Sequence, residues 1–174
     1  ALGLILLFLP YFPYSKHAHL FMGPLNIMAS EKRRSMAAIE TIDFEDEELD
    51  QFGAAQIQHL PQTQLLDGYA CIQCSRCQDA CPAYETGKEL SPSALEINKR
   101  YFINDNVSTI VNGESIDKAL TDWMLTEEAA WSCTTCGYCI EVCPVGNEPM
   151  IDILRARQNL VMMESNFPQD AMET

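Results

Sequence analysis

The sequence predicts a mainly helical chain organised around two metal centres, and three observations carry that expectation. All eight cysteines fall in two groups of one spacing: Cys71, Cys74, Cys77 and Cys81, then Cys133, Cys136, Cys139 and Cys143. The 51 residues between the groups contain helix-start signals. No alternating apolar pattern of useful length appears anywhere, so strands are not expected.

Residues 1–9 form an apolar run that stops at Pro10. A helix crossing a bilayer needs about 20 such residues. Aromatic Tyr11, Phe12 and Tyr14 follow, then Lys16 and the basic trio Lys32, Arg33 and Arg34. That order suits the end of a transmembrane helix leaving the hydrocarbon on the cytoplasmic side, with its beginning outside this sequence. A signal peptide is the weaker alternative, because no basic stretch precedes the run and no small-residue cleavage site follows it. Residues 20–29 are apolar again around Gly23 and Pro24, as a second helix start or an interfacial segment.

Residues 31–62 read as an acidic linker, with FGAAQIQHL in it as a short strand or a turn of helix. Six of the eight positions from Asp43 to Asp50 are carboxylates. They suit a solvated linker better than a docking patch for a basic partner. Lone His59 is expected at the surface.

Thr63 is expected to cap a helix in which Leu65, Leu66 and Tyr69 share a face. Ser91-Pro92 marks a helix running to about Phe102, with Ser as cap and Pro at the first helical position. Residues 103–114 are turn-rich, with room for a short extended piece. Further helices are expected at 115–124, at 127–132 after a Thr126 cap, and at about 148–164. In the last one Ile151, Leu154, Gln158 and Val161 supply the helical spacing, and Arg155 and Arg157 are partly solvated.

The net charge of -14 is uneven. Residues 1–35 balance to +3, which leaves -17 for the remainder. Such an acidic body repels nucleic acid, so nucleic acid is excluded as a partner.

Cysteines three residues apart are poorly placed to bridge one another and well placed to converge on metal. The repeated C-x2-C-x2-C-x3-C-P is the bacterial [4Fe-4S] run, whose fourth cysteine serves the other cluster. On that rule one [4Fe-4S] cluster takes Cys71, Cys74, Cys77 and Cys143, and the other takes Cys133, Cys136, Cys139 and Cys81. Each cluster then cross-links the two halves, so its loss should unfold much of the domain. Two four-cysteine zinc sites are the alternative, but zinc needs neither the third and fourth cysteines at this spacing nor Pro82 and Pro144 after them.

The gap between the motifs is too long for compact ferredoxins. In that respect the chain resembles the alpha-helical ferredoxin domain of succinate dehydrogenase iron-sulfur subunits. LLDGYACIQCSRCQDACPAYETGKELSP, WSCTTCGYCIEVCPV and LVMMESNFP together resemble membrane-bound iron-sulfur oxidoreductases. These fuse a cytochrome-b-like membrane domain to this ferredoxin and then to CCG domains. Within that group the likeness is to electron-transfer-flavoprotein:menaquinone oxidoreductases. The CCG motifs are absent, which leaves the substrate-side part outside this sequence.

The resemblance implies three regions: the end of a membrane domain at 1–30, the linker at 31–62, and the ferredoxin at 63–174. It implies electrons arriving from a reduced flavoprotein and leaving through heme b to menaquinone. The setting it implies is the cytoplasmic face of the bacterial inner membrane. PYSKHAHLFMGPLN resembles the end of the membrane domain of nitrate reductase gamma subunits, which makes His19 a candidate heme b ligand and His17 a weaker one. No catalytic residue is expected, because no nucleophile with a base, phosphate loop or flavin fingerprint is present. Arg76, Asp79, Thr134, Thr135 and Glu141 would tune cluster potential. The same motifs would serve a heterodisulfide or thiol reductase subunit, a 2-hydroxy-acid dehydrogenase complex or a soluble ferredoxin-like carrier.

Overall fold

The structure, a computed structural model, describes residues 2–29, 42, 44, 45 and 50–168. Among these it contains ten α-helices and no strand. Two helices form the N-terminal part, α1 (Leu2–Tyr11) and α2 (His19–Ala29). The cysteine-bearing part comprises α3 (Gln62–Ala70), α4 (Arg76–Asp79), α5 (Pro82–Glu85), α6 (Pro92–Asp105), α7 (Val107–Val111), α8 (Glu127–Ser132), α9 (Tyr138–Glu141) and α10 (Pro149–Met162).

Pro10 does not end α1, because it sits in the last turn, where the helix closes anyway. Leu2, Leu4, Leu6, Leu7 and Leu9 all point outward. Among the described residues no helix is long and apolar enough to cross a membrane. α2 turns Leu20, Phe21, Leu25 and Met28 outward and buries Gly23 and Asn26 against the cysteine-bearing part.

The acidic run lies mostly outside the described residues. The last part of the expected linker is packed: Ala54, Ile57 and Leu60 are buried. Ala54 N–H donates to the Arg155 carbonyl at 2.9 Å, and Leu120 N–H donates to the Ala55 carbonyl at 2.7 Å. FGAAQIQHL forms a single 3-10 turn at Ile57–His59. His59 is not a free surface residue, since its Nδ1 accepts from the Ala55 N–H at 3.2 Å.

The Ser91 hydroxyl accepts from Ala94 N–H and Thr126 from Ala129 N–H, so both expected caps form. Thr63 caps nothing, because α3 starts one residue earlier behind Pro61. Residues 107–111 are helical rather than extended. The helix expected at 115–124 shrinks to one 3-10 turn, Leu120–Asp122. Tertiary packing replaces it: Trp123 stacks on Phe102 with ring centroids 3.8 Å apart.

Two helices present a different face from the one their apolar spacing suggests. α3 buries Gln64, Asp67 and Gly68, while Leu65, Leu66 and Tyr69 line an apolar cavity of about 630 Å³. α10 buries Ile151 as expected, with Ile153, Ala156, Asn159 and Leu160, but leaves Leu154, Gln158 and Val161 half-buried. A buried charge explains the first case. Lys99 of α6 is fully enclosed, donates to the Gln64 carbonyl at 2.9 Å and pairs with Asp152, and lies 3.2 Å from Glu96. A buried cation needs such partners, so polar residues of α3 and α10 face inward.

Candidate metal centre

Each motif starts where a helix stops: α3 ends at Ala70 and α8 at Ser132, just before Cys71 and Cys133. The repeat extends to the backbone. Gln73 and Ser75 have φ of 56° and 62°, and the matching Thr135 and Gly137 have 55° and 72°. Left-handed residues at alternate positions coil the chain tightly, which draws cysteines three apart onto one side of a loop. α4 then carries Cys77 and α9 carries Cys139, and the fourth cysteine follows each short helix. Pro82 does more than end its turn, because it opens α5 as the first helical residue.

α4 packs against α9, which brings the motifs together. One pocket is lined by Cys71, Cys74, Cys77 and Cys143, with Cys139, Arg76 and Glu96 also in its wall. A second is lined by Cys81, Cys133, Cys136 and Cys139, with Leu90 and Met150. The first pocket therefore meets three cysteines of the first motif and two of the second, the second pocket meets three of the second motif and one of the first, and Cys139 lines both.

Burial is the main force on these thiols. It pushes Cys71 up to about 11 and Cys77 and Cys139 up to about 12, with repulsion from neighbouring cysteines adding to the last two. Cys133 and Cys143 are raised for the same first reason. Backbone donors oppose it: Thr135 N–H reaches Cys133 Sγ at 3.4 Å, and Asn147 N–H reaches Cys143 Sγ at 3.3 Å. Thiols raised by burial and met by N–H groups, as Cys133 and Cys143 are, need a cationic centre to hold them as thiolates. Sulfur-only donor sets around two pockets fit iron-sulfur clusters. Among the described residues no three His, Cys, Asp or Glu side chains gather about one point as ligands of a single ion would.

His19 stands apart from both pockets, half-buried at the start of α2, with Nδ1 2.5 Å from the Lys16 carbonyl. With a carbonyl oxygen as partner, Nδ1 is the donor in that contact, and Nε2 takes no part in it. His17 Nδ1 lies 3.1 Å from Ser15 Oγ, and its ring meets the Phe8 ring edge-on.

Sequence reasoning missed three supports. Arg157 donates from Nε to the Ala130 carbonyl at 2.8 Å and from Nη2 to the Cys133 carbonyl at 2.5 Å. Lys99 organises the polar core beside the first pocket. Asn26 reaches from α2 to Asp67 at 2.6 Å. A lone asparagine in an otherwise apolar helix was the one available signal.

A family model described as a 4Fe-4S dicluster domain matches residues 67–147. The chain is 35% identical, over 96% of its length, to "Probable iron-sulfur-binding oxidoreductase FadF" of Bacillus subtilis, and covers 28% of that protein. It is 29% identical, over 98% of its length, to "EtfAB:quinone oxidoreductase" of Syntrophomonas wolfei, and covers 26% of it. Against "Probable membrane-anchored ferredoxin" of Chromohalobacter salexigens the identity is 26% over 89% of the chain and 27% of the relative. The chain thus spans about a quarter of the length of these relatives. No solved structure gives a significant match. The chain thus carries a stretch matched by a 4Fe-4S dicluster domain and is similar along nearly its whole length to part of proteins named as oxidoreductases.

Proposed function

We propose that the chain is the electron-relay portion of a membrane-bound, quinone-linked oxidoreductase, fed by a reduced flavoprotein and discharging toward heme b and menaquinone. The observation that carries this is the pair of sulfur-lined pockets with Cys139 in the wall between them. Cys71, Cys74, Cys77 and Cys143 would hold one [4Fe-4S] cluster, and Cys133, Cys136, Cys139 and Cys81 the other. Such clusters supply one-electron storage without proton chemistry at carbon. The protein encloses them in low dielectric, aims N–H groups at their sulfurs, and keeps them close enough to exchange electrons.

The relative named as an EtfAB:quinone oxidoreductase supports a flavoprotein donor and a quinone acceptor. The outward apolar residues of α1 and α2 support a membrane-domain end at 1–30 and disfavour a freely diffusing carrier. The Nε2 of His19, which takes no part in the Lys16 contact, supports it as a heme b ligand. The linker at 31–62 and a ferredoxin domain at 63–174 complete the layout, with the ferredoxin on the cytoplasmic face of the bacterial inner membrane. The test is anaerobic purification of the full-length protein. About eight irons per chain and cluster reduction by a reduced electron-transfer flavoprotein, but not by a thiol couple, are expected. A colourless zinc protein would end the proposal, and reduction by thiols alone would move it to the thiol-reductase class.

A further inference from the structure

Asn26 is 2% exposed, and it is the one polar side chain on the face of α2 that meets the cysteine-bearing part. The helix comes close there: a Cβ placed on Gly23 would sit 3.4 Å from Val145 Cγ1, and one on Gly146 would sit 3.9 Å from Ile27 Cγ1. Both contacts fall on the loop that follows Cys143.

The amide of Asn26 faces three acceptors: Asp67 Oδ1 at 2.6 Å, the Val145 carbonyl at 3.2 Å and Asn147 Oδ1 at 3.4 Å. Asn147 in turn donates from Nδ2 to the Asp67 carbonyl at 2.7 Å, and Asp67 Oδ2 accepts from the Glu148 N–H at 3.0 Å. The loop from Val145 to Glu148 is therefore held at three points. Its Asn147 N–H donates to Cys143 Sγ at 3.3 Å, and the Val145 N–H of the same loop also bonds that thiol. Hydrogen bonds to a ligating sulfur stabilise its negative charge and are among the levers that set cluster potential. No bond of this kind joins α2 to the Cys81 pocket among the contacts described.

We propose that Asn26 is a positioning residue for the pocket of Cys71, Cys74, Cys77 and Cys143. It clamps the loop that aims the Asn147 N–H at Cys143, so this pocket's electron affinity is set from α2. The inference rests on the two-cluster reading above and goes beyond it in distinguishing the centres. One answers to the helix that leads from His19, and the other does not.

The test is an anaerobic redox titration of the full-length holoprotein followed by electron paramagnetic resonance. Cys74→Ser and Cys136→Ser identify which signal belongs to which pocket. Asn26→Leu removes the clamp with little change in volume, and Asn26→Ser keeps a shorter polar group. Both variants are expected to lower the midpoint potential of the signal that Cys74→Ser perturbs, with the leucine variant lowered further, and to leave the Cys136 signal where it was. Equal shifts in both signals, a shift confined to the Cys136 signal, no shift, or loss of both clusters in both variants would overturn the proposal. Wild-type protein without two cluster signals would instead sink the function proposed above, so the two failures are distinguishable.

Discussion

Arg157 holds the entrance of the second motif, because its Nη2 donates to the carbonyl of Cys133 itself at 2.5 Å. The same guanidinium takes the Ala130 carbonyl at 2.8 Å and the Trp131 carbonyl at 3.2 Å, and lies over the Trp131 ring at 5.4 Å. These carbonyls end α8, where few intrahelical donors remain: Ala130 keeps one longer bond, from the Cys133 N–H at 3.4 Å. Arg157→Leu should cost about 1.5–3 kcal/mol in chemical denaturation, the range for hydrogen bonds to a charged group. Arg157→Lys should recover only part of it, since an ammonium lacks the planar fork. Equal stability of the leucine variant and wild type would show the clamp to be idle.

Gly53 is fixed by two constraints at once. Its φ is +74°, and a Cβ there would meet the Arg155 carbonyl oxygen at 2.3 Å and Asn159 N at 2.6 Å. Neither atom can step aside, because both belong to the backbone of α10. Gly53→Ala should therefore cost about 3 kcal/mol or more, as strain and overpacking combine. Gly87 shares the positive φ but has open space around it, so Gly87→Ala should cost only about 1 kcal/mol. Thermal unfolding of the two variants side by side checks the ranking.

The metal chemistry was legible because thiol spacing is a local property. The repeated motif, the Ser91 and Thr126 caps and the start of α10 at Pro149 need only nearby residues. What escaped was long-range. Nothing near residue 99 says that this lysine will be enclosed, so the inward turn of Gln64 and Asp67 contradicts the apolar spacing of α3. The segment at 51–60 looked like linker because its contacts, to Arg155 and Leu120, lie more than sixty positions on. The left-handed Gln73, Ser75 and Thr135 were invisible for a different reason: none is a glycine.

Three carboxyls, Glu96, Asp152 and Asp67, surround the buried cation of Lys99, which gives stability a pH dependence. Burial pushes the Glu96 carboxyl up to about 8 against the opposing pull of Lys99, and burial likewise pushes Asp67 up to about 6. A carboxyl raised in this way holds its proton in the folded state. Its stabilising contribution is complete below the unfolded value and is lost as pH rises through the folded one. Urea denaturation of the holoprotein should therefore show stability falling from pH 6 to about 8 and levelling above, with a slope of at most about 1.4 kcal/mol per pH unit for the one proton involved. Glu96→Gln should flatten that slope. A slope unchanged in the variant would assign the proton elsewhere.

The interleaving of the two motifs makes a prediction that sequence neighbourhood alone would get backwards. If each pocket takes its fourth sulfur from the other motif, Cys143→Ser should perturb the paramagnetic signal that Cys74→Ser perturbs, although Cys143 lies beside Cys139 in the chain. Cys81→Ser should likewise act on the Cys136 signal. Each cluster would then join α3 and α4 to α9 and the loop before α10. Burial holds the Cys71, Cys77 and Cys139 thiols well above their ordinary value, so without iron these three are protonated and the metal–thiolate link between the halves is gone. Chelation of iron should therefore lower the far-ultraviolet helical signal cooperatively, and anaerobic reconstitution should restore it with release of protons. Should Cys143→Ser instead alter the signal marked by Cys136→Ser, each motif would hold its own cluster, and the cross-link between the halves would not exist.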